Sequence, residues 1–149
     1  MKIEPFAAEH GEAILAGQLN DDRNRPSPSF GKFIPDLVRP DLSFVGILNG
    51  HLIGAAGVHP VWNGVGEAWF LGTDRVDKNR MAVARTVRDG FETIARDHGF
   101  TRVQAAMRSD WPHLARWAKY LGMTHEGSMP RYGADGSDYE RWARIWASK

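Results

Sequence analysis

Two groups of residues between Gly66 and His98 could do chemistry together: a carboxylate, Glu67, and the cations Lys78, Arg80 and Arg85. Glu67 alternates with Trp69, Leu71 and Thr73 along an apolar, aromatic run whose length suits a buried strand. Partly buried against Trp69, its carboxylate can act as a general base, directly or through water. The alternative is a solvated carboxylate at a strand start, just after the Asn63–Gly66 turn. The cations stand at the opening of the helix that follows, where unpaired backbone N–H groups and the helix dipole favour an anion. Here the alternative is a solvated helix face. Tyr120, Tyr132 and His113 are the other candidates for a general acid, each with a rim position as its alternative. The six histidines show no HxxxH or HxH spacing, which argues against a metal site. No GxSxG, Walker or dinucleotide fingerprint is present.

These residues need a strand, a crossing and a helix to hold them. Gly66 to Thr73 supplies the strand. Val83, Val87, Phe91 and Ile94 recur at helical spacing and define the buried stripe of a long helix that Gly99 stops. Upstream, Lys2 to Phe6 reads as a strand and Ala8 to Leu19 as a helix, with Ile14 and Leu15 inward. Asn20 to Ser29 reads as a loop, and Phe30 to Val38 as a second helix. Leu42 to Leu48 and His51 to Val58 flank Asn49-Gly50, the residue pair of a two-residue type I′ hairpin. Downstream, Thr101 to Met107 reads as a strand. Asp110 or Ser109 can cap a helix with Pro112 in its first turn and Leu114, Ala115, Ala118 and Leu121 inward. His125 to Tyr132 and Tyr139 to Trp146 form a last hairpin. The order β-α-α-β-β-β-α-β-α-β-β predicts an α/β fold: one domain over residues 1–149, a single mixed sheet with helices on both faces.

Composition narrows the function classes. The chain has 149 residues, 42% hydrophobic and 25% charged, which is ordinary for a globular domain. A net charge of +1 argues against a nucleic-acid partner. With no cysteine, disulfides, thiolate metal sites and cysteine nucleophiles are excluded. The first 17 residues are broken by Glu4, Pro5, Glu9 and Glu12 and read as neither a leader nor a membrane span, implying a cytoplasmic protein.

The strand Gly66-Glu67-Ala68-Trp69-Phe70, the junction Leu121-Gly122-Met123-Thr124-His125-Glu126-Gly127 (similar to an LGF-x-x-EG pattern) and the element order together resemble the GNAT superfamily. These are the Gcn5-related N-acetyltransferases, which use acetyl-coenzyme A. More narrowly, WFLGTD before a basic helix, RW-x-x-x-LG and a DG hairpin resemble GNAT-like proteins of tailed phages and prophages, including a T7-type internal-virion or assembly-associated group.

The resemblance implies acetyl-coenzyme A as cosubstrate, no metal, and a host cytoplasm or virion location. It places Phe70, Leu71, Gly72 and Thr73 at the acyl end of the coenzyme, with a strand bulge or splay near Gly72 (a close backbone contact being the alternative there). Lys78, Asn79, Arg80, Met81, Ala82, Val83, Ala84 and Arg85 fall along its phosphates. Glu67 takes the position of a base, and Arg25, Phe30, Trp69 and Tyr132 surround an amine acceptor, either a small molecule or a protein. Two departures stand out. Asn79 and Ala82 replace the Arg or Gln and the first glycine of the phosphate loop, and Ala118 replaces a tyrosine acid. Tyr120 lies two residues on, roughly 200° around the helix. The expectation is an acyl-coenzyme A-dependent N-acyltransferase, as a homodimer or with phage virion proteins. Its rival is a catalytically degenerate GNAT fold kept as a virion or assembly protein.

Overall fold

The computed structural model describes residues 1–18 and 34–147. The sheet has seven strands: β1 (Lys2–Pro5), β2 (Ser43–Leu48), β3 (His51–Trp62), β4 (Val65–Gly72), β5 (Arg102–Arg108), β6 (Thr124–Met129) and β7 (Tyr139–Ile145). In space they run β1-β2-β3-β4-β5-β7-β6, and every neighbouring pair is antiparallel except β4–β5. Helices α1 (Ala8–Gln18), α2 (Ile34–Leu37), α3 (Arg80–His98) and α4 (Pro112–Tyr120) complete the expected order.

Alternation along the strands sends neighbouring residues to opposite faces. Ala55 joins Val45 and Leu71 in a core closed by Ile14 of α1 and by Ile34 and Leu37 of α2. Ala56, one residue on, joins Val58, Val103 and Met107 in a larger core closed by Val83, Val87, Phe91 and Ile94 of α3. The four stripe residues of α3 are therefore all buried, and helices cover both faces. Gly99 ends α3 at φ 70°, and the Asn49-Gly50 hairpin has φ 53° and 77°, as a type I′ turn requires.

Several expectations need correction. Neither Asp110 nor Ser109 caps α4: Trp111 occupies that position without a side-chain bond, because Asp110 is held by Arg108 at 3.0 and 3.1 Å. Leu114 and Ala115 face inward as expected, half-buried and packed against the larger core that holds Ala118 and Leu121. β3 runs on to Trp62 through a bulge between Pro60 and Trp62, and β6 stops at Met129, just before Pro130. Of the Phe30–Val38 helix, Ile34–Leu37 is described; its start, with Arg25, Phe30 and the loop before it, lies outside the described residues. No helix among the described residues is long and apolar enough to cross a membrane.

Candidate active site

The sheet opens between its two parallel strands. β4 and β5 pair only at Val65–Arg102, Gly66–Val103 and Glu67–Gln104. Beyond them β4 stays with β3 as far as Gly54–Gly72, while β5 stays with β7 as far as Arg108–Tyr139. Of the bulge or splay expected near Phe70 to Gly72, the splay is what stands there: β3–β4 pairing is regular, and β4 parts from β5 on its other side. The N–H of Thr73 bonds the Ile53 carbonyl on β3 at 3.0 Å. Backbone direction alternates along a strand, so the N–H of Phe70 points the other way, into the opening. Its ring packs edge-on to Trp117 of α4 at 4.9 Å. A Cβ on Gly72 would stand 2.9 Å from both Phe70 and Val76, so this glycine serves close packing.

The α3 N-terminus follows directly. The Thr73 hydroxyl donates to the Ile53 carbonyl at 2.7 Å and accepts from the Arg75 N–H at 3.3 Å, which fixes the turn. The Asn79 amide donates to the Arg75 carbonyl at 2.9 Å instead of capping the first-turn N–H groups of α3. Lys78, Arg80, Met81, Ala82 and Arg85 are exposed around that terminus. Val83, Ala84 and Leu71 are core residues and offer the site their backbone only.

On the face covered by α1, a polar network crosses four strands. Glu67 accepts from Arg141 Nη1 at 2.8 and 3.1 Å and from Gln104 Nε2 at 2.9 Å. Gln104 in turn accepts from Arg102 Nε at 2.9 Å, and Arg102 forms a two-pronged pair with Glu126 at 2.5 and 2.9 Å. The Arg102 hydrogen bonds hold the Glu126 carboxyl below its ordinary range. Glu67 is therefore no isolated, solvated carboxylate. The partners that fix it are Arg141 and Gln104; they lie 74 and 37 residues away, and no sequence signal singled them out.

The other expected residues fall elsewhere. Trp69 shares the Glu67 face but packs edge-on to Phe6 at 5.0 Å, over the backbone of Gly57. Tyr120 lies under Arg88 of α3 at 5.3 Å, so the structure does not bring it to Glu67. Ala118, at the position of a tyrosine acid, is fully buried. Tyr132 is exposed on the β6–β7 turn against Tyr139, at 5.3 Å between ring centroids. That turn is pinned by Asp135, which accepts from Ser137 and from Arg108; these bonds push its carboxyl down to about 2. His113 stacks on Trp111 at 6.3 Å, on α4.

No protein-family model and no curated protein sequence matches this chain. Solved structures do. It is similar over 99% of its length to 98% of Ard1 from Thermoplasma volcanium, with a TM-score of 0.81 and 21% identity. It is similar to a GNAT-family acetyltransferase from Bacillus anthracis (TM-score 0.74, 17% identity, 96% of this chain and 93% of that one). A third likeness is ribosomal-protein-alanine N-acetyltransferase from Brucella melitensis (TM-score 0.77, 11% identity, 98% and 100%). The chain has the fold of the GNAT acetyltransferases.

Proposed function

We propose that this protein is an acyl-coenzyme A-dependent N-acyltransferase that moves an acetyl group to an amine. The observation that carries the reading is the divergence of β4 from β5 after Glu67–Gln104, followed in the chain by a helix N-terminus that Asn79 does not cap and around which Lys78, Arg80 and Arg85 are exposed together with Asp77. When bound, the cosubstrate supplies an activated thioester carbonyl. The Phe70 N–H is placed to polarise that oxygen, as a fixed dipole facing a gap from which the neighbouring strand has withdrawn. The first-turn amides of α3, with Lys78, Arg80 and Arg85, suit a pyrophosphate and a further phosphate. Ala82 in place of glycine is compatible, because its residue is exposed and helical, with its methyl group outside the core. The acceptor amine would meet the face that carries Glu67, Gln104 and Arg141.

The test is thermal stability with and without millimolar acetyl-coenzyme A. At about 100 times its dissociation constant a ligand of the native state adds ~2.7 kcal/mol and raises the midpoint by several degrees. That shift should vanish on charge reversal of Arg80 and Arg85. Product formation with spermidine and with a short peptide bearing a free amino terminus then identifies the acceptor class.

A second reading, a GNAT fold that has lost catalysis, is favoured by one set of contacts: Glu67 engaged by Arg141, Ala118 buried and Tyr120 turned to Arg88. Coenzyme binding without transfer to any amine would support it. Nothing in the fold or its likenesses bears on a phage origin or a virion role, and the proposal does not include them.

A further inference from the structure

His59 lies on β3 directly opposite Glu67 of β4, and directly paired antiparallel residues project to the same face. The row His59, Glu67, Gln104 therefore crosses three strands at the last rung before β4 and β5 separate. Among the described residues, the Nδ1 of His59 is the one side-chain nitrogen or oxygen that is shut off from solvent and has no hydrogen-bond partner. Buried polar atoms are nearly always paired, so an orphan one strand away from the opening, on the face that carries Glu67, points to a partner that arrives with a ligand. To accept a proton, Nδ1 must be the lone-pair nitrogen, with the ring hydrogen on Nε2. The carboxylate beside it is already committed to Arg141 and Gln104, and the next charges along the network, Arg102 and Glu126, neutralise each other.

We infer that His59, rather than Glu67, takes the proton from the acceptor amine. This assignment rests on the transferase reading above. One proton of the ammonium moves to Nδ1, and the freed lone pair forms the C–N bond to the acyl carbon as the C–S bond breaks. The second excess proton leaves with the thiolate, and imidazolium returns the first to solvent. Glu67, fixed by Arg141, orients the amine.

The experiment pairs His59→Gln with Glu67→Gln, using spermidine and a peptide with a free amino terminus as acceptors. His59→Gln should keep the acetyl-coenzyme A thermal shift and KM but lower kcat by about 10²–10⁴-fold. Its rate should recover as the pH is raised, because the amine then arrives already deprotonated. Glu67→Gln should keep the wild-type pH profile. Nitrogen-15 spectra of labelled histidine, which need no turnover, should show Nδ1 without hydrogen in the free protein and perturbed by either amine. A hydrogen on Nδ1, or an unchanged kcat and pH profile in His59→Gln, would overturn the assignment. Loss of the pH limb in Glu67→Gln alone would hand the role to Glu67. A wild-type protein that shows no acetyl-coenzyme A shift removes the premise instead, and the assignment falls with it.

Discussion

A carboxylate has about four lone-pair positions, and Glu67 already uses three of them on Arg141 and Gln104. What it can still do depends on Arg141, whose side chain is 20% exposed against 30% for Glu67. At that burial the pair lies between an exposed salt bridge worth little and a buried one whose breakage is severe. Arg141→Ala should therefore cost about 1–2 kcal/mol and lower the melting midpoint by a few degrees. The loss comes mainly from leaving Glu67 without its cation, so Glu67→Gln combined with Arg141→Ala should cost less than the sum of the single changes. A double-mutant cycle read by denaturant unfolding checks this, and strict additivity would mean that the two side chains do not interact.

At the scale of elements, most of what holds the site was legible because it is local. The stripe Val83, Val87, Phe91, Ile94 and the Asn49-Gly50 turn are encoded within a few residues of themselves, and both stand where their spacing puts them. The opening between β4 and β5 was legible only as a resemblance, since strand separation leaves no mark on one strand's sequence. The Glu67–Arg141 pair was not legible at all. It exists because β7 inserts between β5 and β6, a matter of sheet order that no short motif records. The environment of Gly90 was equally hidden. Mid-helix glycine normally invites replacement by alanine, a gain of roughly 1 kcal/mol. In α3, however, a Cβ on Gly90 would stand 2.4 Å from the ring of Phe44 on β2. Overpacking of that kind costs about 1–3 kcal/mol. Gly90→Ala should thus lower the melting midpoint, and adding Phe44→Leu should restore part of the loss.

For the whole molecule, the opening that makes the site also threatens the fold, because among the described residues three pairs are the only strand pairing between β1–β4 and β5–β7–β6. The larger core offsets this. Ile53, Ala56 and Val58 from one half-sheet and Val103, Ala105, Met107 and Trp142 from the other pack in a single cluster with α3. α3 thus clamps two half-sheets that can part at one end without coming apart. Phe91, 5% exposed in the middle of that clamp, is where the argument can be tested. Phe91→Ala should cost about 3–5 kcal/mol, lowering the midpoint by about 10 °C. If the core couples the halves, hydrogen exchange in β2 and β3 and in β5 and β7 should accelerate by the same factor, and far-ultraviolet dichroism and tryptophan fluorescence should still report one transition. Separate transitions, or acceleration confined to one half, would show that the halves are held together by the three-pair seam and not by α3.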